Sequence, residues 1–205
     1  MSAATELKNF DSVRKIVGER GIFGPEDWDK FGIEIQGKIP DFPFEADVLE
    51  PKFAEEHFFF LGQSFTVVEF FSALERQKET SLIPEKIPLH DSFRYEKCHP
   101  RWHALCLDYR RFLNKKTVDE WDKFLLSEQQ GYRVPLAATG IMGLFLSILK
   151  GNNFPENLFF QCRDKIINGA GKSPAVSFSK GVFSISLISR AETSPNAGVL
   201  VVRFG

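Results

Sequence analysis

The chain has 205 residues, with 26 Lys and Arg against 27 Asp and Glu and a formal net charge of -1, so no global field draws it to nucleic acid or anionic lipid. Three cysteines in a chain of this length make no disulfide framework, and the odd count fits a reducing compartment, the cytoplasm by default. Residues 1–11 carry Glu6, Lys8 and Asp11 with no apolar stretch, and the longest apolar run, Val134 to Leu149, is shorter than the roughly 20 residues a membrane span needs, so neither a secretory leader nor a span is expected.

In chain order, Leu7, Phe10, Val13 and Val17 recur at helical spacing and predict an amphipathic helix over residues 5–17, stopped by Gly18 and Gly21. Pro25 opens a short helical turn through Phe31, closed by Gly32. Residues 33–51, with repeated prolines, read as extended segments and loops. His57 to Leu61 is a continuous apolar run bounded by Gly62, as a buried strand would be. Thr66 and Glu69 form a capping box for a helix ending near Arg76. Residues 79–92 make a loop whose Ser81, Glu85, His90 and Asp91 have no readable spacing.

Pro100 then suits the first turn of a helix running to about Asn114, with Trp102, Leu105, Cys106, Tyr109, Phe112 and Leu113 as its apolar stripe. Arg110-Arg111 and Lys115-Lys116 would lie near its end, where cations favour the helix dipole without any nucleic acid. Thr117 and Glu120 cap the next helix, which carries Trp121, Phe124 and Leu125. Pro135 begins an apolar helix in which Thr139, Gly143 and Ser147 recur every four residues, a small stripe that lets another element approach closely.

From Asn157 the pattern turns to strand: Leu158 to Cys162, Ala175 to Ser179, Val182 to Ser189 and Val199 to Phe204. A two-residue turn at Lys180-Gly181 would set Phe178 opposite Phe183 and Val176 opposite Ile185, leaving Ser177, Ser179, Ser184 and Ser186 on the other face. The expected fold is one α+β domain over 1–205, a helix-rich part (1–151) packed on a C-terminal antiparallel β-sheet (157–205). The hexamer Glu26 to Phe31 recurs as Asp119 to Phe124; duplication and independent helix-start chemistry both explain it.

Side-chain chemistry concentrates at Cys98, His99, His103 and Cys106. On a helix, His99, His103 and Cys106 would share a stripe beside Cys98, a nitrogen and sulfur set suited to zinc, although zinc sites usually draw ligands from separated pairs; His57, His90 or Cys162 could complete such a site across the fold. Cys98 is also a candidate nucleophile, with His57 or His90 as its base. The competing reading is packing, with Cys106 turned inward as filler behind Trp102 and Tyr109. Gly169-Ala170-Gly171-Lys172-Ser173 resembles the end of a phosphate-binding loop, but Ile166 replaces the required glycine and Pro174 opposes the following helix, so nucleotide hydrolysis is rejected.

Phenylalanine is used 22 times. Each buried copy contributes on the order of 1.5–3 kcal/mol, and these rings either build a core or line an apolar pocket. The favoured function is a non-enzymatic binding or protein-interaction domain without a cofactor, its partner a protein or a small apolar ligand and not nucleic acid. The alternative is a metal-binding or cysteine-dependent enzyme centred on the Cys/His cluster.

Overall fold

A computed structural model describes residues 10–35, 37–76, 83–84, 86–88, 91–113, 116–128, 131–164, 171–179, 181–193 and 195–204. His90, and Gly169-Ala170 of the glycine-rich motif, lie outside them.

Strand β2 (His57–Leu61) is buried at all five positions, and so is β3 (Trp102–Cys106). A strand apolar on both faces must be covered on both, which places it inside a sheet and under a helix. The two pair antiparallel with His57 opposite Cys106 and Leu61 opposite Trp102. Around them the first sheet adds β1 (Ile22–Phe23), parallel to β2, then β9 (Val202–Phe204) against β3 and β4 (Tyr132–Arg133) against β9.

The second sheet runs β7 (Val182–Ser189), β6 (Lys172–Ser179), β5 (Phe159–Gln161), β8 (Ala197–Val199), with β5 and β8 parallel. Its hairpin has the predicted register, Phe178 opposite Phe183 and Val176 opposite Ile185, with Ser184 and Ser186 exposed. Lys172 begins a strand, so no helix follows the glycine-rich motif. The protein is therefore α+β, but with two mixed sheets rather than one C-terminal antiparallel sheet. The run Val199 to Phe204 does not form one strand: β8 and β9 belong to different sheets, and the buried Leu200 and Val201 carry the chain between them.

Helix α1 (Phe10–Val17) holds the described part of the first predicted helix, and α2 (Pro25–Lys30) follows Pro25. A six-residue helix, α3 (Pro51–Glu56), was not expected and runs straight into β2. In α4 (Val67–Arg76) the capping box is formed, Thr66 N–H donating to Glu69 at 2.8 Å and Glu69 N–H to Thr66 Oγ1 at 3.1 Å. A short α5 (Asp91–Arg94) precedes the segment 95–101. The helix predicted over 100–114 is absent: β3 and a 3-10 turn (Tyr109–Phe112) take its place. Because β3 is buried on both faces, Trp102, Leu105 and Cys106 meet the helical spacing without being helical. Arg110 and Arg111 lie on the 3-10 turn, with Arg111 against the Phe112 ring. Helix α6 (Val118–Glu128) carries the second capping box, Thr117 with Glu120.

Helix α7 (Ala137–Leu149) is buried from Ala137 through Ser147 and touches β2 and β3 of the first sheet and β6 of the second. Among the described residues, eleven of the twelve largest fully buried side chains are Phe, which assigns these rings to core packing; Phe70 and Phe145, for instance, meet edge to face at 5.5 Å. At the far end of α7, the buried Asp27 accepts from Arg14 (2.8 Å), Lys150 (2.7 Å) and Gly24 N–H (2.9 Å), tying α1, α2 and α7 together. Among the described residues no helix is long and apolar enough to cross a membrane.

The small stripe of α7 has the use its spacing implied. A Cβ at Gly143 would lie 2.5 Å from Phe60 Cε1 and 2.7 Å from Cζ. Alanine gains about 1 kcal/mol over glycine in a helix, but overpacking a core costs typically ~1–3 kcal/mol, and here the obstacle is a ring held between packed elements. Gly143→Ala is expected to lower stability by about 1–2 kcal/mol, read as a lower urea midpoint with an unchanged slope; a rise in the midpoint would show that the Phe60 ring yields freely.

Candidate functional site

Strand parity governs the four residues that the sequence groups together. Along β3 successive side chains alternate between faces, so His103 and Cys106 point to opposite faces, about 10 Å apart along the strand at ~3.3 Å per residue. His99 precedes the strand and is exposed. The structure brings together Cys98 and His103, and it adds Thr139 of α7, which the sequence did not associate with them. Cys98 Sγ lies 3.8 Å from His103 Nε2, and Thr139 Oγ1 donates to the sulfur at 3.6 Å. Gly62 makes the approach possible: a Cβ there would stand 2.8 Å from both Cys98 Sγ and His103 Nε2.

The ring of His103 is stacked on Phe60 (4.9 Å) with Phe204 edge-on (5.5 Å), and it has no exposed surface. Its Nε2 lies 3.1 Å from the carbonyl of His99, which assigns the proton to Nε2; Nδ1 then keeps a lone pair that no donor among the described residues reaches. Burial drives His103 down to about 4, with Arg101 and His99 adding to the effect against the His99 hydrogen bond. Burial also pushes the Cys98 thiol up to about 12, despite Thr139 and Arg101. The pair therefore has the spacing of a nucleophile and base, but at neutral pH it is a thiol beside a neutral imidazole, and Cys98 and His103 pack as core groups.

Cys106 faces a different region. It packs with Phe112, Val118, Trp121, Leu125, Val134, Val199 and Val201, whereas the expected neighbours Trp102 and Tyr109 belong to the main core. It is 4% exposed at the edge of a cleft of about 360 Å³ beside His57, its cross-strand partner, and Tyr132. His57 Nδ1–H donates to Phe53 O (2.8 Å) and Nε2 accepts from the Tyr132 hydroxyl (2.9 Å), so both ring nitrogens are engaged. Burial lowers the His57 pKa and pushes Cys106 up to about 11. Cys162 is fully buried against Gly140, its thiol raised by burial and by Asp164. Among the described residues no group of three or more His, Cys, Asp or Glu is placed to hold a metal ion.

A third region was not indicated by any local motif. His99, Arg101, Gly131, Arg133, Leu136, Thr139, Arg163 and Phe204 line a cleft of about 410 Å³. Its cations come from three separate places: the segment before β3, strand β4, and the residue two after β5. Among the described residues none that lines the cleft is acidic, and none of the three guanidinium groups forms an ion pair. Arg101 lies over the Phe204 ring at 4.6 Å, and its Nε is buried without an acceptor.

Arg163 is held by its backbone. Its N–H donates to Pro135 O (2.8 Å), Asp164 Oδ2 accepts from Ala137 N–H (2.6 Å) at the start of α7, and Arg190 donates to the carbonyl oxygens of Arg163 (2.6 Å) and Asp164 (2.9 Å). The leading N–H of α7 is thus served by Asp164. Compared with family models, curated proteins and solved structures, the chain matches none.

The depressed His103 pKa has a signed consequence. The folded protein binds fewer protons than the unfolded chain between pH 6.5 and about 4, so His103 removes stability as pH falls through that window. His103→Gln is expected to flatten the acid limb of stability against pH, by on the order of 3 kcal/mol at most. Chemical denaturation from pH 7 to pH 4 measures this; an unchanged acid limb would place the lability elsewhere.

Proposed function

We propose that this protein is a non-enzymatic binding domain whose ligand presents an anionic group, a phosphate or a carboxylate, to the cleft of Arg101, Arg133 and Arg163. The observation that carries the reading is three arginines lining one open cavity with no carboxylate among its described lining residues. In an overall charge of -1, an uncompensated group of cations is a local arrangement that bulk composition does not explain. Guanidinium presents forked donors that match oxyanions, and the Thr139 hydroxyl and the Phe204 ring supply a neutral donor and an apolar wall. The Phe-rich segments support packing rather than an apolar-ligand cavity, which favours the polar cleft as the binding site. Three free, buried thiols support a reducing setting such as the cytoplasm.

Sulfate and phosphate titrations by calorimetry at low ionic strength test this. One hydrogen bond to a charged group contributes about 1.5–3 kcal/mol, so Arg101→Gln and Arg163→Gln are each expected to weaken binding by roughly 10- to 100-fold. Arg133, which is exposed, is expected to matter less. Binding unaffected by both substitutions, or its absence from the wild-type protein, would refute the reading.

The 3.8 Å approach of Cys98 to His103 favours a second reading, cysteine-dependent chemistry. It requires that thiol to be reactive. Iodoacetamide labelling of the folded protein is expected to leave Cys98 slower than Cys106, and a fast-reacting Cys98 would replace the binding reading with the catalytic one.

A further inference from the structure

We propose that the arginine cleft takes a nucleotide, with the phosphate among the guanidinium groups and the base laid flat against the layered pair of Arg101 and Phe204. The proposal rests on the anion-binding reading above and names the class of ligand for that same cleft.

The register of the first sheet sets out one wall. Residues opposite one another on paired strands, or two apart on one strand, share a face. Phe204 of β9 is opposite His103 of β3, and Arg133 of β4 is opposite Val202, two residues before Phe204. Arg101 is two residues before His103, and its carbonyl oxygen accepts from Gly62 N–H (2.9 Å), which carries the ladder between β2 and β3 one pair beyond the strands. Arg101, Phe204 and Arg133 therefore lie in a row across β3, β9 and β4 on one face, in the order cation, ring, cation. Leu136 and Thr139 at the start of α7, with Arg163 two residues after β5, line the cleft with them.

The Arg101 guanidinium is held in this row. It stands over the Phe204 ring at 4.6 Å, and the backbone N–H of the same residue donates to His99 O (2.8 Å) at the turn into β3. Its Nε is buried without an acceptor, so no described group of the protein docks that part of the fork. An alkyl chain laid on such a surface would strip water from a cation and return nothing, whereas the π face of an aromatic ring is attracted to it. Guanidinium planes and aromatic side chains are accordingly the surfaces on which proteins stack bases. The face of a guanidinium and its in-plane donors are separate, so Arg101 can stack and still donate to the phosphate beside Arg163 and Arg133. Size agrees: the cavity of about 410 Å³ falls in the roughly 300–1,000 Å³ range of small-molecule sites, with room for a sugar and a base beside one oxyanion. A phosphate joined to a flat heteroaromatic ring is the chemistry of a nucleotide.

Calorimetric titration with AMP, ribose 5-phosphate and inorganic phosphate at one low ionic strength reads base, sugar and anion apart. AMP and ribose 5-phosphate carry the same phosphate group, so the ratio of their affinities reports the base alone. Stacking of one base makes the expected wild-type ratio about tenfold or more in favour of AMP. Arg101→Lys keeps the charge and loses the plane, and Phe204→Leu keeps apolar bulk and loses the ring. Each is expected to bring the ratio down to about threefold or less, whatever it does to ribose 5-phosphate itself. If ribose 5-phosphate binds as tightly as AMP, the nucleotide is overturned and the anion site stands. A tenfold ratio that survives both substitutions overturns it too, because the base then lies elsewhere. Failure of all three compounds to bind refutes this inference together with the anion reading beneath it.

Discussion

Burial of β2 and β3 on both faces, beneath a helix that is itself buried along most of its length, is the constraint from which the rest of the structure follows. Such a strand excludes water from the side chains along its middle, and polar groups caught there take their uncharged forms. His103 becomes a neutral imidazole between two Phe rings, and Cys98 stays a thiol beneath Thr139. Alternation along β3 then sends His103 to one face and Cys106 to the other, so the Cys/His group separates into two environments. Chemistry in contact with solvent is left to the strand ends: His99 and Arg101 at one, Cys106 beside His57 and Tyr132 at the other.

Charges elsewhere in the molecule show what distinguishes the arginine cleft. Asp27 is buried but meets Arg14, Lys150 and a backbone N–H, and Arg190 is buried but meets two carbonyl oxygens and Asp119. In both arrangements each charge meets an opposite charge inside the protein, and they are accounted for as ties between elements, although Arg14 Nε, like Arg101 Nε, meets no acceptor among the described residues. Arg101, Arg133 and Arg163 meet no such opposite charge among the described residues. Their mutual repulsion is tolerated because the cleft is open to water, and an oxyanion held there would reduce it. That is the physical basis for treating this cleft, rather than the buried thiol and imidazole, as the working surface.

The sequence disclosed those elements whose local rules agree with their burial. The two capping boxes, the His57–Leu61 strand and the 176–185 hairpin each combine a turn or cap signal with a consistent apolar face, and each is present as expected. β3 was misread because the burial of both faces erases period-two alternation, and the prolyl start with Trp102, Leu105 and Cys106 imitates a helix. The split of 199–204 between two sheets has no local mark, because Leu200 and Val201 are as buried in the crossing as in a strand. Of the candidate site, only the closeness of Cys98 and His103 was legible. Successive members of the three arginines lie about 30 residues apart along the chain, and the first sheet, α7 and the end of β5 bring them to one cavity, so their grouping is a product of topology.

The most direct test of the account is where an anion goes. Nitrogen-15 NMR of the arginine Nε–H groups during a sulfate titration reads every guanidinium separately. The account predicts saturable shifts at Arg101, Arg133 and Arg163, with Arg14 and Arg190 unmoved in their ion-paired networks. Shifts spread evenly over the exposed arginines, or saturating only at Arg110 and Arg111, would contradict it.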